Sequence, residues 1–421
     1  MAKKLKVVIV SDDIRFPSGV SNITKQIILN TIGDFDWVQM SARYNQVENN
    51  SIIDVSDSVK KITNVNDAYV RLYCTSGYGD YATYNKIVNS ENPDILLHMS
   101  DPHYFNWIYE HEHEIRKKIP IGYYHVWDNE PVPVFNKSIY YSCDSIASIS
   151  KLTYKLVNNV TNGEIDNEYI PHGINTEVFK KLDEEQTNKC RLNLLNTGCS
   201  FVLFCNNKNL KRKQLLNLLE SYQVFCESIK KEDANRTLLL LHTNPIGRNT
   251  SNLYEASDYI NTLGNVKFSD SVVDDSTLAQ MYNVADVTIN IASNEGFGLS
   301  TIESLSCETP IIVNKTGGLN EQIDNDNTWG IGISPSSRVL NGSPSVPFLY
   351  EDILDKQSVS DAIYNIYKMS NNKRTRMGKS GRNFIIENQY TSRDMTNKFT
   401  EYIKNTIKNF KPRSNYTLTK I

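Results

Sequence analysis

Short, almost uninterrupted β-branched runs recur along this chain, each separated from the next by a stretch with helical periodicity. No other feature constrains the fold as strongly. Runs at 5–11, 37–41, 95–99, 119–125 and 145–150 predict strands in the first half, with helices at 20–31, 82–89 and 104–118 between them. A second series follows Pro171-His172-Gly173, with strands at 201–205, 237–242, 266–268, 287–291 and 311–313. Its helices are expected at about 213–229, 253–263, 275–282, 300–307 and 318–323. Near-continuous apolar content is what a strand covered on both faces requires, and alternation with helices implies parallel sheets. The 421 residues exceed what one hydrophobic core comfortably serves. The expected architecture is therefore α/β: two doubly wound, Rossmann-like domains facing across a cleft, with ligand outside the carboxyl ends of the strands.

Domain boundaries are expected at 1–175 and 197–391, joined by a linker at 176–196 that contains the polar run DEEQTNK. The stretch 334–345, rich in Pro, Ser and Gly, reads as a surface loop, and 358–408 as helical with a break near 388–392. The balance of 45 Lys+Arg against 48 Asp+Glu, formally −3, excludes a surface that is basic all over, but not a local basic groove. Seven scattered cysteines without a C-x-x-C pair suit free thiols in a reducing compartment better than a disulfide or zinc framework. The basic start MAKKLKVVIVSDD imitates a secretion signal, yet Ser11-Asp12-Asp13 cut its apolar run short. No run approaches the ~18 apolar residues of a membrane span. A cytoplasmic protein with no transmembrane segment is expected.

The chemistry concentrates in VTINIASNEGFGLSTIESLSCETPIIVNKTGGLNEQI (287–323). A buried strand ends near Ser293; Glu295-Gly296-Phe297-Gly298 follow, then a helix start at Leu299 with Glu303 in its first turns. Small residues let a ligand approach the backbone, and the N–H groups of a helix start favour phosphate. Glu295 and Glu303 can both face that ligand, and carboxylates there suit the hydroxyls of a sugar or ribose. The spacing of the two acids carries no weight by itself; the strand–EGFG–helix–Glu context does. A nicotinamide or flavin fingerprint is disfavoured, since neither this turn nor SDDIRFPSGV (11–20) contains G-x-G-x-x-G.

With Pro310-Ile-Ile-Val and Gly317-Gly318 behind it, this motif resembles the donor site of retaining GT-B glycosyltransferases, specifically glycosyltransferase family 4 (glycosyl transferases group 1). The resemblance runs through nearly the whole chain. Ser18-Gly19-Val20 takes the place of the family's first glycine-rich turn, and YIPHGINTEVF (169–179) that of its interdomain segment. NKNLKRK (207–213) is similar to an element carrying two basic residues five apart. MGKSGRNFIIENQYTSRDMTNKF (377–399) resembles its closing helices, which implies that 392–421 packs back onto the first domain.

Carried over residue by residue, the resemblance implies that Lys208 and Lys213 neutralise a departing nucleotide diphosphate, though the family more often has Arg at the first position. It implies that Glu295 bonds the donor sugar, Glu303 holds the ribose, and Gly19 and the backbone of Gly296, Phe297, Gly298 and Leu299 meet sugar and phosphate. Val272, in the loop 271–273, matches the nucleobase segment weakly. His125, at a strand tip, matches the active-site histidine, and Asp101, Trp127 and Asp128 are candidate acceptor ligands. Catalysis is then expected from His125, Glu295, Lys208 and Lys213, with no metal and no cofactor beyond the sugar nucleotide.

The implied function is transfer of a sugar from a UDP- or GDP-sugar to an acceptor hydroxyl, on a glycan or another carrier. A vaguer resemblance of PHYFNW (102–107) and HEIRKKIPIGYYHVWDNEP (113–131) to phage-type enzymes opens a second acceptor, hydroxymethylated pyrimidine DNA. Aromatics at 104, 105, 107, 123, 124 and 127 would stack an extruded base. Outside enzymes, the alternative is a catalytically silent protein that binds a sugar nucleotide. His111 and His113 point to different faces of a helix and suit a solvated surface better than a metal. Asp34-x-Asp36 and Asp324-x-Asp326 match the D-x-D of metal-dependent transferases, but neither closes a central strand.

Overall fold

The computed structural model describes residues 3–43, 48, 50–195, 198–247, 250–260 and 264–414. Two compact units emerge: Met1–Trp127 with Val132–Gly173 and Ser392–Ile421, and Asp128–Pro131 with Ile174–Thr391.

The first unit is built on β1 (Leu5–Asp12), β2 (Phe35–Arg43), β3 (Ile52–Asp54), β4 (Val70–Ser76), β5 (Ile95–Ser100), β6 (Ile121–His125), β7 (Ser145–Ser148) and β8 (Asp166–Tyr169). They form an 8-stranded sheet in the order β3-β4-β2-β1-β5-β6-β7-β8. All pairs are parallel except β3 with β4. Every residue of β5, β6 and β7 is buried, as the unbroken apolar runs require. Helices cover the sheet and start where the sequence offers a cap: Ser18 accepts from the Ser21 amide, Asp80 from Thr83 and Ser150 from Thr153.

The helix expected at 104–118 is not continuous. A 3₁₀ turn, Pro102–Phe105, is followed by Asn106–Glu110 and Glu112–Ile115. The break falls at His111, whose Nδ1 bonds the Trp107 carbonyl at 2.9 Å while its ring stacks on Tyr81 at 3.9 Å. A side chain that captures a carbonyl of the preceding turn competes with the helical ladder. β3, β4 and β8, absent from the sequence reading, lie toward the sheet edges, where the runs are short or mixed with polar residues.

Helix Ser392–Asn409 belongs to this unit although the chain reaches it last. The buried Tyr402 phenol explains the docking. It accepts from the Tyr123 amide and the Ser145 hydroxyl and donates to the Ser145 carbonyl. The rest of the segment expected to pack here, 415–421, lies outside the described residues.

The second unit holds β9 (Phe201–Asn206), β10 (Thr237–His242), β11 (Asn265–Ser269), β12 (Val287–Asn290), β13 (Ile311–Asn314) and β14 (Gly330–Ile333). Its 6-stranded sheet runs β11-β10-β9-β12-β13-β14, all parallel. β12 and β13 are wholly buried. The polar segment expected as a linker, 176–196, instead carries helix Glu184–Leu195 and clusters with this unit. Arg191 holds it, bonding the Val284 carbonyl and the Asp286 carboxylate. The helix expected at 253–263 is described as Leu253–Ile260, its last three residues lying outside the description.

The expected loop 334–345 is largely a hairpin, β15 (Ser337–Ser343) paired antiparallel with β16 (Val346–Ile353). Its polar, fully exposed first strand lacks the apolar run by which the other strands announce themselves.

Candidate functional site

Each parallel strand of the second unit ends at a loop, and sequence-singled residues occupy several of these ends. β9 runs into NKNLKRK, which closes with a 3₁₀ turn, Lys211–Lys213, and Gln214 in the left-handed region. β12 runs into Asn294-Glu295-Gly296, and helix Leu299–Ser306 begins after it. The loops are stitched together: the Ser293 amide donates to the Arg212 carbonyl at 2.7 Å, and the Arg212 guanidinium to the Asn294 carbonyl at 2.6 Å.

This stitching places the Lys213 ammonium, 6% exposed, directly on the Glu295 carboxylate. Arg212 lies 3.6 Å from the same oxygen and 3.9 Å from the Asp128 carboxylate. Burial pushes Glu295 up, but Lys213 and Arg212 outweigh it, so the carboxyl is held below its usual range and stays ionised. Burial likewise pushes Lys213 below the usual lysine range, against the pull of Glu295. The second cation at Glu295 is therefore Arg212, which the sequence reading passed over. Lys208 is exposed on the preceding loop, and no ion pair joins its ammonium to a described residue. The signal for Arg212 was present in the KRK run, but only the turn decides which basic side chain faces the carboxylate.

The small residues have a measurable reason. A Cβ on Gly317, which sits at φ +49°, would lie 2.2 Å from the Glu295 carbonyl oxygen, and one on Gly318 would lie 2.3 Å from that of Gly296. The Gly318 amide donates to the Glu295 carbonyl at 2.8 Å. Gly298, at φ +100°, takes the N-cap position of helix Leu299–Ser306, where no side chain caps the first turn. Phe297 is buried, its ring edge-on to Tyr390 and its carbonyl bonded by Gln322. The backbone of Gly296, Gly298 and Leu299 thus carries what a ligand would meet, while the Phe297 side chain is structural.

Glu303, on helix Leu299–Ser306, has partners of its own. The Tyr282 hydroxyl donates to it at 2.6 Å, and Asn206, at the end of β9, bonds Tyr282 at 2.9 Å. Burial raises Glu303 to about 7, with the Tyr282 bond opposing. Tyr282 and Asn206 are further site residues that the sequence did not reveal. Val272 is 78% exposed on the loop after β11, with no bond to this group.

In the first unit, Gly19 is the exposed first residue of helix Gly19–Thr31, behind its Ser18 cap. Asp101 is half-buried after β5, at the start of the 3₁₀ turn. His125 stands at the tip of β6, as expected, and is fully buried there: its Nε2 bonds the Tyr140 hydroxyl at 2.8 Å, and burial lowers it to about 3. It is a neutral imidazole. Trp127 is 5% exposed, packed near Phe135, and offers almost no surface to a ligand. Phe105, Tyr123 and Tyr124 are core as well, so of the expected aromatic platform mainly Tyr104, 42% exposed, faces outward. Asp128 clusters with the second unit rather than with these residues. Among the described residues no group of three or more His, Cys, Asp or Glu could hold a metal ion, and no helix is long and apolar enough to cross a membrane.

Comparison with known proteins places the fold. Residues 194–384 match the family model for Glycosyl transferases group 1. The alpha-monoglucosyldiacylglycerol synthase of Acholeplasma laidlawii is 29% identical over 176 residues, 40% of this chain and 40% of that enzyme. The structure of HepE from Anabaena in complex with UDP and glucose is 12% identical, covers 95% of this chain and 100% of its own, and superposes with a TM-score of 0.71. A sucrose-phosphate synthase from Thermosynechococcus elongatus matches at 14% identity and TM-score 0.71, over 96% of this chain and 99% of that one. A glycosyltransferase from Rickettsia africae matches at 17% identity and TM-score 0.69, over 97% and 100%. At such identities the structural likeness establishes the fold. Residues 194–384 are a glycosyl transferases group 1 domain, in a chain with the α/β GT-B fold.

Proposed function

We propose that the chain is a retaining, metal-independent glycosyltransferase that moves a sugar from a UDP- or GDP-sugar to an acceptor hydroxyl, with a glycan as the leading acceptor class. The observation that carries this reading is the Lys213–Glu295–Arg212 group packed against the glycine-lined start of helix Leu299–Ser306. Two buried or half-buried cations and a helix start supply the positive field that a departing diphosphate needs. Glu295, kept ionised, accepts from hydroxyls of the donor sugar, and Glu303 with Tyr282 takes the ribose. Lys208 closes on the diphosphate from its loop.

In the proposed step the bond from the anomeric carbon to the diphosphate oxygen breaks, and the acceptor oxygen bonds that carbon on the same face. The acceptor proton passes to the leaving phosphate, so the products are the glycoside and the nucleoside diphosphate. No protein base is required, which agrees with a neutral, buried His125 acting through its neighbours. Acceptor recognition falls to the first unit, with Asp101 as the first candidate. The comparison structure bound to UDP and glucose supports UDP-glucose as the first donor to test.

The test is turnover of UDP- and GDP-sugars with a glycan panel and with hydroxymethylcytosine DNA, each with and without EDTA. Nuclear magnetic resonance of the product reports the anomeric configuration. Nucleoside diphosphate release with a retained anomer and no EDTA effect is expected. A mass increase of the DNA moves the acceptor to nucleic acid; binding of every donor without turnover makes the chain a silent binding protein.

A further inference from the structure

The hairpin β15–β16 lies outside both larger sheets, yet it is bonded to the loops of the proposed donor site. In its register Leu340 faces Tyr350 and Arg338 faces Asp352. In an antiparallel pair, every second residue turns its N–H and C=O away from its partner strand. On β16 the outward groups of Tyr350 and Asp352 are all used. The Tyr350 amide donates to the Glu130 carbonyl at 2.7 Å, and its carbonyl accepts from the Asn129 and Asn294 side chains. The Asp352 amide donates to the Ser293 carbonyl at 3.1 Å, and its carbonyl accepts from Gln214 at 3.2 Å and Asn314 at 3.0 Å.

The side chains add to this. Asp352 is 4% exposed; its carboxylate accepts from Thr316 at 2.7 Å and from Arg338 at 2.6 and 3.2 Å. Arg338 also bonds Glu130 at 3.0 Å and lies over the Tyr350 ring. Asn314 ends β13, and every other partner lies within two residues of a residue of the site. Gln214 follows Lys213, Ser293 and Asn294 precede Glu295, Thr316 precedes Gly317 and Gly318, and Asn129 and Glu130 follow Asp128. Four separate loops therefore take their positions from one strand edge, locked by a charge-assisted pair.

We propose that the β15–β16 hairpin is the common frame of the sugar–diphosphate site, with Arg338 and Asp352 as positioning residues for transfer. The inference rests on the donor-site reading above. An Arg338→Ala change removes the lock from the half-exposed side while leaving Asp352 bonded to Thr316. Loops freed from the frame hold the cations and Glu295 less accurately, and small misplacements of reacting groups cost of the order of a hundredfold in rate.

The experiment pairs UDP-glucose turnover with hydrogen exchange on the free protein, for wild type, Arg338→Ala, Arg338→Lys and Asp352→Asn. Expected for Arg338→Ala is a fall in kcat of about tenfold or more with a smaller change in donor KM, partly restored in Arg338→Lys. Faster exchange should be confined to the hairpin itself and to peptides spanning 128–131, 211–214, 290–299 and 312–319, with β9 unchanged. Unchanged kcat and exchange overturn the proposal, and so does faster exchange spread evenly over the unit, which marks a merely structural role. Should Asp352→Asn fail to fold, the Arg338 variants still decide. Because exchange is read without donor, a wild type that turns over no sugar nucleotide refutes the activity while the hairpin is still judged by its exchange.

Discussion

Glu303→Gln should make the free protein more stable at alkaline pH and its donor binding weaker. In the folded chain burial raises Glu303 from 4.5 to about 7. Between those values the unfolded chain has lost the proton that the folded chain still holds. The contribution to stability is therefore complete below pH 4.5 and is lost as pH rises through 7. At 1.36 kcal/mol per pH unit the full loss is about 3 kcal/mol. Solvent reaches the half-buried side chain, so roughly 1–2 kcal/mol is the expected effect. The glutamine keeps an oxygen for the Tyr282 hydroxyl and has no proton to lose. Urea unfolding should then find wild type and Glu303→Gln similar at pH 5, and the variant about 1–2 kcal/mol more stable at pH 8. Losing an ionised acceptor for a ribose hydroxyl costs about 1.5–3 kcal/mol, so UDP affinity at pH 8 should fall about tenfold or more. If both proteins lose stability in parallel between pH 5 and pH 8, Glu303 is not the buried titrating group described here.

Lys213→Met leaves Glu295 buried with only Arg212 beside it, and breaking such a pair costs about 3–5 kcal/mol. A lower unfolding midpoint and strongly reduced nucleotide release are expected; a stable, active variant would separate Lys213 from the chemistry. Gly318→Ala places a methyl 2.3 Å from a backbone oxygen that cannot rotate away. Turnover should drop sharply while the far helices keep their circular dichroism, and normal kinetics would mean that the loop accommodates a Cβ. Tyr402→Phe strips a partner from the Tyr123 amide and from the Ser145 carbonyl inside the first unit, while the Ser145 hydroxyl keeps Thr406, a cost of about 1–3 kcal/mol for each group left unsatisfied. Thermal unfolding should show that loss with donor affinity intact.

The central strands were legible because a strand buried on both faces can hardly avoid an unbroken apolar run: β5, β10, β12 and β13 appear within a residue or two of their expected limits. The outer strands β3, β8 and β14 and the β15–β16 hairpin escaped because one or both faces meet water, where composition is free to vary, whereas the edge strand β11 was expected at 266–268. The helix break at His111 escaped because it depends on a ring nitrogen finding a carbonyl and on stacking against Tyr81.

In the candidate site the same division holds. Glu295, Glu303, the glycines and Lys213 were visible as a motif, since a position where a Cβ would fall 2.3 Å from a neighbouring backbone oxygen leaves little choice but glycine. The sequence alone thus determined the α/β class, the parallel sheets and the local string of acids, glycines and a lysine. Tertiary structure decided which groups meet: Arg212 beside Lys213 at Glu295, Tyr282 on Glu303, His125 sealed inside, and β16 bracing four loops. Those outcomes depend on where side chains far apart in sequence are brought together, and buried electrostatics and hydrogen bonding act only over a few ångströms once folding has set the distances.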